Sequence, residues 1–438
     1  MNPRPATPPS PRKILFATAA GNFVEWLDFS LYGYLAVVIS RTFFPPGSQA
    51  AALIGAFAVY GVAFIARPIG ALVFSRIGDH RGRRSALSLC IIVMGTATAA
   101  IGILPSYGTV GILAPILLLL CRLAEGFSAG GEYAGGMIFA LEHSSERRRA
   151  TRTNFVASFA NGGSLGGIVV IIVFQTLLPQ TYTTNGWRWA FVVAGAVALV
   201  GLYLRRRIDE TPVYREFAAA RTPVPLRTVL REHRAKMGVL FVFYALGGVL
   251  NYMIVGYMPT FLTATVKIKP LPALFIQGTI LLFGMLLFMG LGPLIDSGRV
   301  TRRRLLLWGA GSSVFFALPA YLMISTANVG VALLGLALLE ISVITTAGGG
   351  ALIALEMMPA EVRYAGVAIP YNLASALFAG TAPLISQLLV QASGSKIMPA
   401  VYATIVALIA FPVIYRGMPD TAGRSIRAAV AVPERVQR

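Results

Sequence analysis

The sequence predicts an all-α membrane protein of twelve transmembrane helices arranged as two six-helix bundles. Hydrophobic residues make up 56% of the 438 and charged residues only 12%, with apolar stretches of about 20 residues recurring along the chain. The 37 basic residues collect in the N-terminus and in alternate loops, as expected of a chain threaded repeatedly through a bilayer. A third observation is an internal echo, set out below, that divides the chain into equivalent halves.

Reading from charged loop to charged loop, the spans begin near Ile14, Ala52, Ser85, Gly111, Thr153, Trp187, Met237, Pro272, Leu305, Asn328, Gly366 and Pro399. This gives a tail over 1–13, a bundle over 14–206, a linker over 207–236, a second bundle over 237–416 and a tail over 417–438. The segment Arg205 to Lys236 carries nine basic residues and the run Thr222-Pro-Val-Pro225, the composition of a tether between bodies that move relative to each other. The odd-numbered loops hold only Arg41, Arg188, Lys267, Lys269 and Lys396. Positive loops stay in the cytoplasm, so both termini are expected there, in a bacterial-type inner membrane. The net charge of +20 is thus a topology signal, and nucleic-acid binding is not expected. The first apolar run lacks a small-residue cleavage site and is expected to be retained as a span.

Gly135-Gly-Met-Ile-Phe-Ala-Leu-Glu142 recurs as Gly349-Gly-Ala-Leu-Ile-Ala-Leu-Glu356, and Arg149 recurs at the same offset as Arg363. More loosely, Asp79 with Gly82, Arg83 and Arg84 after the second span is echoed by Asp296 with Gly298, Arg302 and Arg303 after the eighth. Parallel six-helix repeats place a solute between the halves near the midplane.

Within the first span, Gly21, Glu25, Asp28 and Tyr32 are spaced by four, three and four, which sets them on one helical face. At 1.5 Å per residue from Ile14 the two carboxylates lie ~16 to 21 Å along the axis, near the midplane. An ionised group there costs roughly 3 kcal/mol or more, so such residues mark an ion or solute pathway or else a fixed ion pair. Arg122 in the fourth span is the expected counter-charge; it has Glu125 three residues on and Glu132 seven beyond that. Its guanidinium suits a solute carboxylate held bidentately, or an acidic side chain while the site is empty, an exchange that would couple solute to proton; the structural alternative is a lasting pair with Glu125. Arg67, read as lying near the cytoplasmic end of the second span, is placed either to snorkel to the interface or to pair across helices, and a structural role is expected of it. Glu340, mid-way along the tenth, is either a functional acid or a bystander in a helix contact.

Several of these motifs resemble the metabolite:proton symporter branch of the major facilitator superfamily. They are Gly21-Asn-Phe-Val-Glu-Trp-Leu-Asp-Phe29; Arg67-Pro-Ile-Gly70 with Gly78-Asp-His-Arg-Gly-Arg-Arg84; Arg122-Leu-Ala-Glu-Gly-Phe-Ser-Ala-Gly-Gly-Glu132; Asp209-Glu-Thr-Pro212; and Pro359-Ala-Glu-Val-Arg363 with Tyr371-Asn372. The branch includes carriers of proline and betaine, α-ketoglutarate, citrate and shikimate, and Leu104 through Glu132 looks most like the proline/betaine carriers. Two departures stand in the loop motif, Ser75 and His80, and one in the fourth span, Glu125 where the branch usually has Gln.

The resemblance implies proton-coupled uptake of a small solute by alternating access, with the proton as coupling ion and no other cofactor or metal. The partners are the solute and the bilayer, and the chain is expected to work as a monomer. Glu25, Asp28, Glu125 and Glu132 are the candidate proton groups. Arg122, Tyr32, Asn22, Trp26, Tyr60 and Asn372 are the candidate solute contacts; aromatic faces among them suit a quaternary ammonium. Gating is expected of Asp79, Gly82, Arg83, Arg84 and Asp296, with Glu142 and Arg149, and Glu356 and Arg363, as a latch within each half. Facilitation, antiport or a non-transporting sensor are the alternatives. An enzyme is not expected: His80, His143 and His233 all fall in loops, and no phosphate-binding GxxxxGK[ST] run accompanies them.

Overall fold

The computed structural model describes residues 11–81, 83–131, 136–138, 140–141, 144, 146–179, 181–206, 226–359 and 362–423, and all regular structure among them is helical. Gly82, Glu132 and Glu142 lie outside the described residues, as do the side chains of Asp79, Arg83 and Arg84.

The expected spans are all present as helices. The first is Pro11–Tyr34 continued by Ala36–Phe43 across a 65° bend at Leu35. Gln49–Arg81, Arg83–Ile103 and Leu113–Ala129 are the second to fourth, and Arg149–Leu177 and Arg188–Arg206 the fifth and sixth. Arg234–Thr265, Pro270–Asp296, Arg302–Ile324, Val329–Glu356, Arg363–Ser393 and Met398–Gly417 complete the twelve. Local chemistry sets several boundaries: Thr301 and Asn328 accept hydrogen bonds from the backbone N–H three residues on, and Gly394 adopts the left-handed conformation after the eleventh span. Within the expected linker, Leu226–Glu232 forms a short helix before the seventh span.

Large apolar side chains face outward along the spans, including Ile65, Leu120, Val169, Leu199, Phe275, Leu286, Phe315 and Ile409. In water this would be a severe liability; against lipid tails it costs nothing. The seventh and eleventh spans contain five-residue π-helical turns, Met253–Tyr257, Phe261–Thr265 and Ser375–Ala379, which shift helix register where the halves meet.

In the N-terminal half the first span packs on the fifth, the second on the fourth and the third on the sixth. The second and fourth approach to backbone contact, since a Cβ at Gly126 or Gly130 would collide with the carbonyl of Ala63 or Arg67. The halves meet where the fifth span packs on the eighth, the second on the eleventh and the first on the seventh.

Candidate functional site

The motifs of the first, second and fourth spans converge on one buried ionic cluster. Glu25, Asp28, Arg67, Arg122 and Glu125 are each at most 2% exposed. Two ion pairs divide it. Arg67 Nη2 donates to Glu25 Oε1 at 3.0 Å. Arg122 Nη1 donates to Glu125 Oε2 and stands 3.7 Å from Asp28 Oδ2. Thr98 of the third span places its hydroxyl 2.7 Å from Asp28 Oδ1 and 2.8 Å from the Met94 carbonyl.

Aromatic rings wall the guanidinium groups. Arg67 lies over the rings of Phe29 and Phe64, and Arg122 over Phe29, Tyr32 and Tyr60, at 4.5 to 5.4 Å from the ring centroids. Such stacking offsets part of the cost of a desolvated cation. Arg122 Nε and Nη2 and Glu125 Oε1 have no hydrogen-bond partner.

The structure divides the expected counter-charge between two residues: Arg122 serves Asp28 and Glu125, while Glu25 pairs with Arg67. Of the two placements open to Arg67, the structure shows the pairing across helices: it is fully buried, and its Nη1 stands 3.5 Å from the Tyr371 hydroxyl of the eleventh span. The cluster therefore touches both halves through Arg67. Thr98 and Tyr371 were not singled out as site residues; Thr98 is one of several hydroxyl groups on the third span, with Ser85, Ser88 and Thr96, and its sequence position does not set it apart.

The other expected solute contacts fall into two groups. Trp26 and Tyr60 stand at the meeting of the halves: Trp26 packs on Tyr252 of the seventh span with ring centroids 5.3 Å apart, and Tyr60 lies 6.4 Å from the same ring. Phe64 closes on Tyr252 edge-on at 5.0 Å. By contrast, Asn22, Tyr32 and Asn372 donate to backbone, while Asn372 Oδ1 has no hydrogen-bond partner. Asn22 donates to the Val156 carbonyl, Tyr32 to that of Ala56, and Asn372 to those of Ala368 and, across the halves, Gly130.

At the end of the molecule rich in basic residues, a second set of contacts joins the halves. Glu356 takes both Arg149 of the fifth span, at 3.3 Å, and Arg302 of the ninth. Glu356 thus ties the fifth span of one half to the ninth and tenth of the other. Arg363 donates to the Leu355 carbonyl. Asp296, at the end of the eighth span, accepts from Ala150 N at 3.1 Å, Thr151 N at 2.8 Å and the Thr151 hydroxyl at 2.7 Å. It caps the fifth helix, whose own N-cap residue, Arg148, makes no such bond. At the opposite end Gln391 donates to the Ala50 carbonyl, and a Cβ on Gly33 would meet the Gly256 carbonyl at 2.9 Å. Contacts at both ends enclose the ionic cluster between them.

Comparison with known proteins agrees with this architecture. The Major Facilitator Superfamily profile matches residues 18–369. The proline/betaine transporter of Salmonella typhimurium is 32% identical over 442 residues, spanning 97% of this chain and 87% of that one. The glycine betaine/proline/ectoine/pipecolic acid transporter OusA of Dickeya dadantii is 33% identical over 436 residues, spanning 95% and 85%. Among solved structures, a D-xylose-proton symporter superposes with a TM-score of 0.75 at 17% identity, covering 94% of this chain and 99% of that one, a likeness of fold alone. Matched over most of its length by the family profile and over nearly all of it by these relatives, the chain belongs to the Major Facilitator Superfamily and is a multi-pass membrane transporter, not an enzyme.

Proposed function

We propose that this transporter couples proton entry to uptake of a small zwitterion of the betaine or proline kind, by alternating access across a bacterial inner membrane. The basic end and both termini face the cytoplasm, and one chain suffices. The observation that carries the reading is the charge balance of the enclosed cluster: three carboxylates, Glu25, Asp28 and Glu125, face two guanidinium groups, Arg67 and Arg122. A net charge left in a water-free site is costly, so neutrality requires one proton on the carboxylates. Asp28 and Glu125 share Arg122, and one proton between them balances the set.

Arg122 was expected to hold the solute carboxylate or, without solute, an acidic side chain, and it is paired here with Glu125 and Asp28; because Arg67 reaches the other half through Tyr371, we assign the solute carboxylate to Arg67. It stands at the junction of the halves beside Glu25 and the rings of Phe64, Trp26, Tyr60 and Tyr252. A guanidinium for a carboxylate, with a carboxylate and aromatic faces for an ammonium, suits a zwitterion. The names of the relatives point the same way.

Proteoliposomes with an inward proton gradient test the proposal, with betaine, proline, α-ketoglutarate, citrate and shikimate offered in turn. Betaine or proline should accumulate uphill and acidify the lumen. Asp28→Asn should abolish uphill accumulation while solute exchange continues. Uptake that survives collapse of the proton gradient would sink symport, and preference for a dicarboxylate would sink the zwitterion site.

A further inference from the structure

We propose that Glu340, in the C-terminal half, is a second proton-exchange group, loaded when the halves close and discharged when they part, so that two protons accompany each solute. This rests on the symport reading above but not on the same residues.

Glu340 is 2% exposed, well inside the tenth span. The fifth, seventh, eighth, ninth and eleventh spans pack against the tenth, and among the described residues none brings a basic side chain within ion-pair distance of it. Tyr34 of the first span is the titratable side chain that faces Glu340. Its one hydrogen bond comes from the other half, where Asn161 Nδ2 of the fifth span donates to Glu340 Oε1 at 2.8 Å. Gly284 of the eighth span makes room for the pair, since a Cβ there would strike both Glu340 Oε1 and Asn161 Nδ2.

An ionised carboxylate with a single neutral donor is too costly at this depth, whereas a carboxylic acid accepting one amide hydrogen bond is not. In the closed arrangement Glu340 is therefore the neutral acid. When the fifth and eighth spans separate, Asn161 leaves with its half and water reaches the carboxyl. The O–H bond breaks, the proton passes to water, and the carboxylate is solvated. Closure on the opposite side reverses each step. The cluster of the N-terminal half has guanidinium groups to balance its acids, while Glu340 has none, so its proton is additional to theirs.

The test is the number of charges moved per neutral zwitterion, read from reversal potentials in proteoliposomes. Two are expected in the wild type and one in Glu340→Gln. For a tenfold proton electrochemical gradient the accumulation limit then falls from about a hundredfold to about tenfold. Asn161→Ala should keep two, because it removes the hydrogen bond but not the titrating group. A wild type that moves one charge, or a Glu340→Gln variant that still moves two, overturns the proposal for Glu340 and leaves symport intact. A wild type that moves none overturns both. Should Glu340→Gln fail to fold, infrared difference spectra of the Asp28→Asn protein on opening serve instead. Loss of one protonated-carboxyl band per molecule supports Glu340, and its absence overturns the proposal.

Discussion

At the scale of single residues, the pairing of Glu25 with Arg67 has the sharpest consequences. Each is buried, so removing one leaves the other an uncompensated charge, at a cost of about 3 to 5 kcal/mol, whereas removing both is often close to neutral. Glu25→Gln should therefore lower the thermal unfolding midpoint of the purified carrier markedly, and Glu25→Gln with Arg67→Gln should recover most of the loss. A double variant no more stable than the single would show that the pair is not energetically coupled. The first-span carboxylates were legible because charge in an apolar run is conspicuous and a spacing of four, three and four fixes their face. Their partners were not, because which helix faces which is a tertiary fact. Arg67 was legible only as one of two placements, and the choice between them rests on the helix running on to Arg81, which leaves Arg67 well inside it and among its neighbours.

At the scale of helices, close approach of the first and seventh spans is permitted by Gly33, whose missing Cβ leaves room for the Gly256 backbone. Gly33→Val should hold that end open. Cysteines introduced on the two spans should then label readily from the side opposite the basic end, while net uptake falls at least tenfold. Unchanged labelling would mean that the helices part without regard to this contact. The number of spans and their starts followed from hydropathy, since a bilayer sets helix length directly. The bend at Leu35 and the π-helical turns did not, because no proline marks the bend and a register shift is set by packing between halves. Pro68, Pro293, Pro319, Pro370 and Pro412, by contrast, all lie inside continuous helices. Neighbouring helices in a bundle tolerate such breaks.

At the scale of the molecule, the internal echo pointed to gating groups but not to their wiring. Repetition of Glu142 with Arg149 as Glu356 with Arg363 suggested a latch in each half; among the described residues Glu356 reaches across to Arg149 as well as to Arg302 of its own half. Glu356→Gln should loosen the basic end, and spin labels on the fifth and tenth spans there should show a longer mean separation in the solute-free carrier. An unchanged distance distribution would assign closure to Asp296 alone. That carboxylate has a bearing on assembly as well as on gating. The fifth helix begins without a cap of its own and borrows one from a residue 146 positions later in the chain. At typical synthesis rates of ~5 to 20 residues per second, its first turn waits roughly 7 to 30 s for Asp296 to be made. Until then the N-terminal half holds a frayed edge, and the arrival of the eighth helix both finishes that edge and docks the second half against the first.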